Sequence, residues 1–245
     1  MLGNKIRSIS EKSEIVLLPE MFSTGFSMDP AKLAETMEGD SVRWMKELAA
    51  EKKLIISGSL IIEDGKQEDG SPRYFNRLIW MLPNGQFGTY DKRHRFAYAE
   101  EDAYYAAGNN RFIASVNGWK IHLQVCYDLR FPVWARQSTQ ESPEYDILVY
   151  VANWPEKRIH AWKTLLQARA IENQSYVIGV NRVGVDGKGI QYSGESMVVD
   201  PLGEILYHQK DIEEIFTITL DKEKLDAIRA RFPFLKDGDR FTILT

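Results

Sequence analysis

Three apolar runs of this 245-residue sequence end in polar or reactive side chains. They cover residues 15–18, 121–125 and 150–152, and the residues that follow them include Glu20, Cys126 and the pair Asn153 and Trp154. Several apolar runs of the chain are solid rather than alternating, which is typical of strands that are buried on both faces. Ligands of open α/β sheets bind beyond the carboxyl ends of the strands, so we expect the three ends to converge on one site.

Cys126 is the only cysteine of the chain and has the most distinctive chemistry. It closes an apolar run and precedes Asp128, Arg130 and a helix predicted to begin near Pro132, because proline suits a first helical turn. Helix N–H groups near a thiol favour the thiolate, which is the nucleophilic form. A lone cysteine is more often a buried structural residue. The charged residues two and four positions further on favour a reactive thiol here.

Glu20 and Lys92 are the charged residues that could assist the Cys126 thiol in catalysis. Glu20 follows four apolar residues and a proline, a position that suits general acid–base catalysis, with helix capping or a salt bridge as the open alternative. Lys92 lies in a basic cluster bracketed by Tyr90 and Phe96. Such a cluster is usually a solvated face, but the two aromatic residues indicate a partly buried segment. We assign no catalytic role to His94 in the same cluster.

The composition excludes several classes of protein. Apolar residues make up 44% and charged residues 27% of the chain, which excludes wholesale disorder. The 31 basic and 35 acidic residues give a net charge of −4, which argues against a dedicated nucleic-acid binder. The longest apolar runs fall far short of the roughly 20 residues that a membrane span needs. We therefore expect no nucleic-acid or membrane partner, and a reducing, cytoplasmic setting without a signal peptide.

Metal and phosphate sites are poorly supported by the sequence. One cysteine allows neither an intrachain disulfide nor a multi-cysteine metal site. The four histidines are scattered singly and show no metal-ligand spacing. The glycines between residues 184 and 189 match no nucleotide-binding fingerprint and predict a turn. We expect no metal site.

Strand and helix patterns alternate around these residues. Strands are predicted at 15–18, 54–62, 78–82, 121–125, 147–152, 176–180 and 215–220, and helices at 31–52, 160–173 and 222–231, after a helix tail within 3–13. Turn signals at Asn84-Gly85, Asn117-Gly118 and Asp200–Gly203 predict hairpins. Hairpins together with helical connections indicate an α/β protein with a mixed sheet or two sheets. No linker or repeat divides the chain, so we expect a single domain over residues 1–245.

With Glu20, Lys92 and Cys126 in this order along the chain, the sequence resembles the nitrilase superfamily of carbon–nitrogen hydrolases. The matching stretches are Leu18-Pro19-Glu20-Met21-Phe22, Tyr90-Asp91-Lys92-Arg93-His94 and Cys126-Tyr127-Asp128-Leu129-Arg130-Phe131-Pro132. Further similarity covers 151–155, 167–174 and 181–184, so that it runs from about residue 6 to the C-terminus. Asn153-Trp154-Pro155 and the stretch that begins at Asn181 point to the omega-amidases, which hydrolyse the terminal amide of 2-oxo acids such as 2-oxoglutaramate.

The resemblance implies a four-layer α-β-β-α sandwich that pairs into a homodimer or a higher homo-oligomer. Family members normally begin with a further strand and a full first helix, of which residues 1–13 supply only the helix end. A sandwich that lacks a strand would expose unpaired backbone and an apolar face. We therefore expect a missing N-terminal segment rather than a natural deletion.

The resemblance also implies a catalytic triad of Glu20, Lys92 and Cys126, with Glu101 as the second glutamate that positions substrate and lysine. The adjacent Glu100 is the alternative for this second glutamate. The backbone N–H of Tyr127 would join Lys92 in stabilising the oxyanion. Because side chains fill every role, no cofactor is required. Phe26 matches an aromatic position that lines the pocket in the omega-amidases. Further predicted contacts of the small amide substrate are Trp154, for which a place in the core is an equal alternative, and Arg158, His160 and Trp162.

Two other functions stay open at this point. The same fold could serve another substrate, as in an N-carbamoyl hydrolase, an aliphatic amidase or a nitrilase. The chain could also be a non-catalytic interaction module on that scaffold, although a module gains nothing from keeping all three triad residue types. A redox role for the single thiol is disfavoured because no resolving cysteine is present.

Overall fold

The computed structural model describes residues 2–137 and 142–244, which form two compact units. The first unit contains residues 2–110 together with Glu214–Thr217, and the second contains 111–213 together with the rest of the C-terminal region. Each unit is built on its own mixed sheet. The prediction of two sheets is therefore confirmed, whereas the single-domain assignment stays a prediction.

The first unit holds a four-stranded sheet. Its elements are α1 (Leu2–Arg7), β1 (Ile15–Leu17), α2 (Pro30–Leu33), α3 (Asp40–Lys52), β2 (Ile55–Lys66), β3 (Pro72–Met81), β4 (Phe87–Asp91) and the short α4 (Glu101–Tyr104). The strand order is β1-β2-β3-β4, with β1 parallel to β2 and the other pairs antiparallel. Val42, Met45 and Leu48 on one side of α3 are buried in the apolar core of this unit.

The predicted helix over residues 31–52 is divided in the structure. Between α2 and α3 the chain is extended at Glu35, which forms a β-bridge with Ile62. The Glu35 carboxylate then accepts a hydrogen bond from the N–H of Ser41 in the first turn of α3. A side chain that satisfies a free N–H in this way fixes the point at which a helix begins.

The second unit holds a larger mixed sheet. Its strands are β5 (Ile113–Val116), β6 (Trp119–Val125), β7 (Ile147–Val151), β8 (Tyr176–Val180), β9 (Val183–Val185), β10 (Gln191–Val199) and β11 (Ile205–Lys210); its α-helices are α5 (Pro132–Ala135), α6 (Ile159–Asn173) and α7 (Lys222–Arg231). The order is β11-β10-β8-β7-β6-β5, with β9 paired to β10. The central strands β6, β7 and β8 are parallel, which explains the solid apolar sequences of β7 and β8.

Helix α6 packs closely on this sheet because of a glycine in β8. A Cβ atom at Gly179 would lie 2.5 Å from the side chain of Leu166 and 2.7 Å from that of Trp162. Both of these helix residues are fully buried in the core of the unit. The predicted helix at 160–173 and the three predicted hairpins are confirmed.

The predicted strand at 215–220 is wrong. The structure assigns no strand to this segment, and the side chains of Ile215 and Phe216 are 48% and 46% exposed. High β propensity makes a strand only where a neighbouring strand completes the hydrogen-bond ladder. The strand that precedes this segment in the chain is β11, which ends at Lys210, and neither sheet order includes residues 215–220.

No helix in the described parts of the chain combines the length and the apolar character needed to cross a membrane.

Candidate active site

Lys92 is the centre of a buried ionic cluster in the first unit. Its ammonium donates to Oε1 of Glu20 at 3.0 Å and to Oε1 and Oε2 of Glu101 at 3.0 and 2.8 Å. The three residues are at most 1% exposed. Burying charges costs several kcal/mol per ion unless they are paired and hydrogen-bonded, as they are here. The structure thus brings together three of the four residues predicted to be catalytic.

Glu20 reaches the cluster because β1 is continued by a tight turn. The N–H of Leu18 still bonds to the carbonyl of Ser57 on β2, and the N–H of Met21 bonds to the hydroxyl of Ser59 at 2.8 Å. Met21 has a positive φ of 44°, a left-handed conformation that turns the chain sharply after Glu20. Gly58 makes the close approach possible, since a Cβ there would lie 2.8 Å from the Cβ of Leu18.

Lys92 is held through its backbone on both sides. Its N–H donates to the carbonyl of Asn76 on β3, and its carbonyl accepts from the N–H of Gly108, each at 3.0 Å. A Cβ at Gly108 would lie only 2.0 Å from the carbonyl oxygen of Asp91. Asp91 is itself clamped by two hydrogen bonds from Arg77. Only glycine at position 108 lets the loop pack against this end of β4.

Glu101, and not its neighbour Glu100, faces Lys92. Glu101 is fully buried at the start of α4, whereas Glu100 is exposed and adopts a left-handed conformation. The N–H of Phe96 also donates to Oε2 of Glu101, at 2.6 Å. Burial raises the pKa of Glu101 and the nearby charge of Glu20 adds to this effect, while Lys92 and the N–H of Phe96 oppose it. With N–H donors at both of its oxygens, Glu101 is arranged as an ionised carboxylate.

Asn76 belongs to the same cluster, and the sequence analysis missed it. Its side-chain Nδ2 donates to Oε1 of Glu20 at 2.7 Å and to Oε1 of Glu101 at 3.2 Å. Asn76 lies in the buried part of β3, where its neighbours in sequence are apolar or aromatic except for Arg77. An amide in the middle of a strand that is otherwise rich in apolar residues is the signal that could have identified it.

Phe26 lies beside the ionic cluster, as expected for a residue lining a site. The Nζ atom of Lys92 is 5.4 Å from the centroid of the Phe26 ring. The ring is partly buried against Met21 and Tyr105. It gives the cluster an aromatic wall with a favourable cation–π contact.

Cys126 lies in the second unit, at the end of the central strand β6. It has a positive φ of 46°, and the chain turns there from the strand into a 3-10 helix, Cys126–Arg130. The carboxylate of Asp128 stabilises this turn by accepting from the N–H of Val125 at 3.0 Å. A non-glycine residue in the left-handed region is strained by about 1–2 kcal/mol, and such strain is concentrated at functional sites. The predicted junction of strand, turn and helix is confirmed.

Trp154 follows β7 in the same unit and is fixed by Asn181. The backbone N–H of Trp154 donates to Oδ1 of Asn181 at 2.7 Å, and Nδ2 of Asn181 donates to the carbonyl of Trp154 at 2.9 Å. The indole N–H of Trp154 bonds to the carbonyl of Arg158. The guanidinium of Arg130, four residues after Cys126, stacks 4.9 Å from the Trp154 ring. This network places a cation and an indole near the carboxyl ends of the parallel strands.

Two of the predicted substrate contacts are core residues in the structure. Trp154 and Trp162 are 3% and 0% exposed, and their rings lie 5.5 Å apart within the core of the second unit. The Trp162 indole N–H donates to the backbone carbonyl of Glu195. Arg158 is partly buried and His160 is exposed. Contacts with the protein account for both tryptophans, and a substrate role for any of these four residues stays a prediction.

Among residues 2–137 and 142–244, no cluster of three or more His, Cys, Asp or Glu side chains is arranged to hold a metal ion.

Comparison with known proteins gives consistent matches over most of the chain. The carbon-nitrogen hydrolase family profile matches residues 4–230. Omega-amidase YafV of Yersinia enterocolitica is 42% identical over 243 residues, which are 98% of this chain and 89% of that protein. The 2-oxoglutaramate amidase of Bacillus subtilis is 31% identical over 95% of this chain and 87% of its own length.

A solved structure resembles the whole chain equally well. The crystal structure of XC1258 from Xanthomonas campestris, described as a CN-hydrolase superfamily protein with an arsenic adduct in the active site, superposes with a TM-score of 0.92. The two sequences are 43% identical, and the match covers 99% of this chain and 91% of the other.

Proposed function

Because the chain belongs to the carbon–nitrogen hydrolase family, we propose that it is an omega-amidase that removes the terminal amide of a small 2-oxo acid. Its substrate class is that of 2-oxoglutaramate, which is converted into 2-oxoglutarate and ammonia. Family membership also confirms the predicted nitrilase-type fold of the α/β class. The observation that carries an enzymatic role is the buried cluster in which Lys92 bridges Glu20 and Glu101.

This cluster argues against a non-catalytic module. Apolar residues of similar volume can often replace buried carboxylates and ammonium groups without a loss of stability, or with a gain. A scaffold therefore has no reason to keep Glu20, Lys92 and Glu101 buried together. Groups with perturbed ionisation in such surroundings are typical of catalytic sites.

The family motifs support Cys126 as the nucleophile. In the reaction we propose, the sulfur attacks the amide carbon, the C–S bond forms, and the carbonyl electrons move to oxygen. Glu20 accepts the thiol proton and returns it to the departing nitrogen, so that the C–N bond breaks and ammonia leaves. Water then attacks the thioester with Glu20 as base, which releases the carboxylate product and restores the thiol.

The positive charge of Lys92 and the backbone N–H of Tyr127 are proposed to stabilise the oxyanion. A single donor of this kind lowers a reaction barrier by roughly 3–4 kcal/mol. Two hydrogen bonds from Lys92 to Glu101 hold the ammonium in place. Glu101 is thus proposed as the residue that positions the lysine.

Two further features are part of the proposal. We infer a homodimer or a higher homo-oligomer from the resemblance that the motifs carry. We also infer a cytoplasmic, reducing setting, because a thiolate nucleophile has to stay reduced to act.

A substrate panel tests the function. The purified protein is assayed for ammonia release from 2-oxoglutaramate, glutamine, an N-carbamoyl amino acid and a nitrile. We expect 2-oxoglutaramate to give the highest kcat/KM. Preference for the carbamoyl compound would favour an N-carbamoyl hydrolase, and failure to hydrolyse any of the four would support the non-catalytic alternative.

A further inference from the structure

Like Lys92, Asn76 bridges the two carboxylates of the cluster through its side chain. We propose that Asn76 is a positioning residue that donates to Oε1 of Glu20 and thereby fixes the orientation of the carboxylate that accepts the thiol proton. The inference rests on the proposed function, because it concerns the base of that reaction. It adds a residue that the family motifs quoted above do not contain.

The orientation of the Asn76 amide is determined by its neighbours. Nδ2 lies 2.7 Å from Oε1 of Glu20 and 3.2 Å from Oε1 of Glu101. The opposite orientation would place the amide oxygen against two carboxylate oxygens, where only repulsion would result. The amide therefore presents its two N–H donors, one toward each carboxylate.

The Oδ1 atom of Asn76 shows that stability of the fold does not explain an asparagine at this position. Oδ1 of Asn76 is fully buried, and no donor among the described residues lies within hydrogen-bonding distance. An unpartnered buried oxygen destabilises a folded protein by about 1–3 kcal/mol. A leucine of similar shape would avoid that cost. The N–H donors of the Asn76 side chain, and not its packing in β3, therefore explain the asparagine at this position.

Two donors fix the orientation of the Glu20 carboxylate. Oε1 accepts from Lys92 Nζ at 3.0 Å and from Asn76 Nδ2 at 2.7 Å. A carboxylate oxygen has two lone pairs, and both are engaged at Oε1. Without Asn76, the carboxylate loses one of the two donors that fix its orientation at Oε1.

The test replaces Asn76 with leucine and follows two pH profiles. A carboxylate that loses an N–H donor binds its proton more tightly. We expect the acid limb of the kcat profile for 2-oxoglutaramate to move up by about one pH unit, with kcat reduced by roughly 10–100-fold and KM changed far less. The second profile is the rate at which iodoacetamide alkylates Cys126, the sole cysteine, and we expect the same upward shift.

Two variants separate positioning from a loss of structure. Asn76→Ser keeps one donor, and we expect part of the shift to be rescued. Asn173 on α6 is equally buried, and its amide bonds to Arg169, Glu172 and Gln137 in the second unit, so Asn173→Leu should lower thermal stability and leave both pH profiles in place. If the leucine variant of Asn76 does not fold, the serine variant carries the test.

The outcomes distinguish this inference from the proposed function. A wild-type protein that releases no ammonia from 2-oxoglutaramate overturns the omega-amidase proposal, while the alkylation profile still tests Asn76. Unchanged acid limbs in folded Asn76→Leu or Asn76→Ser protein would overturn the role of Asn76 even if the wild-type enzyme is active.

Discussion

The ammonium of Lys92 donates to both carboxylate oxygens of Glu101, at 3.0 Å to Oε1 and 2.8 Å to Oε2. This two-point contact fixes the direction of a long and otherwise flexible side chain. Because both groups are buried, their attraction is much stronger than that of a surface pair. Lys92 is therefore held in one position before any substrate binds, which is the condition for efficient stabilisation of a developing oxyanion.

Glu101→Gln breaks this contact, and we expect a large loss of activity and stability. A glutamine accepts hydrogen bonds at only one of its two terminal atoms, so the donors that now point at either Oε1 or Oε2 would face an NH₂ group. Removing one partner of a buried ion pair costs about 3–5 kcal/mol. Denaturant titration and steady-state kinetics measure the two effects.

The matched control is Glu100→Gln at the exposed neighbouring position. Surface substitutions of this kind change stability by less than about 0.5 kcal/mol. If Glu100→Gln were the more damaging of the two, Glu100 and not Glu101 would be the second glutamate of the site.

Gly108→Ala tests the backbone that supports Lys92. The new methyl group would lie 2.0 Å from the carbonyl oxygen of Asp91, so the loop has to move away from the end of β4. The hydrogen bond from the Gly108 N–H to the Lys92 carbonyl would be lost with it. We expect kcat to fall at least about 10-fold, because a displacement near 1 Å of a catalytic group is enough for a loss of roughly 100-fold.

Gly187→Ala is the matched substitution at a glycine with open space around it. No heavy atom of residues 2–137 or 142–244 lies within 4 Å of a Cβ placed there, and its φ is not in the left-handed region. Activity of this variant should equal that of the wild type. Equal activity of the Gly108 variant would contradict the close-packing argument.

His122 makes folding stability depend on pH. It is completely buried on β6, and burial, with a smaller contribution from Arg111, holds its pKa well below the usual 6.5. The folded state keeps it neutral, whereas the unfolded chain takes up a proton below pH 6.5. The free energy of unfolding contributed by this residue is fully present above that pH. It falls by about 1.4 kcal/mol for each pH unit below it.

Denaturant titrations between pH 7.5 and pH 5, with His122→Gln beside the wild type, measure that dependence. The variant should lose the part of the slope that belongs to one proton. His160→Gln is the control at an exposed position and should keep the wild-type slope. A wild-type slope in the His122 variant would show that other groups cause the pH dependence.

Much of the site is predictable because local sequence and buried strands coincide there. Glu20 and Cys126 each follow a short apolar run, and each run forms a strand that leads into a left-handed turn next to or at the reactive residue. Lys92 is bracketed by Tyr90 and Phe96, which correctly indicated a partly buried segment. In each case the evidence lies within a few residues of the side chain.

The features that the sequence analysis missed depend on contacts distant in the chain. The amide of Asn76 is significant only because it meets Glu20 and Glu101, 56 and 25 residues away. The break before α3 depends on the bridge between Glu35 and Ile62. The segment 215–220 has the composition of a strand but no place in either sheet order. Tertiary contacts, and not propensity, decided these three cases.

The central claim is that Cys126 forms a thioester with the acyl part of the substrate. Acid quenching of the enzyme during turnover of 2-oxoglutaramate, followed by intact-mass and peptide mass spectrometry, tests it most directly. The account predicts an adduct on the peptide containing Cys126 with the mass of the substrate less ammonia, and neither adduct nor ammonia release in Cys126→Ala. Ammonia release at the wild-type rate by folded Cys126→Ala protein, or an adduct on another residue, would contradict the account.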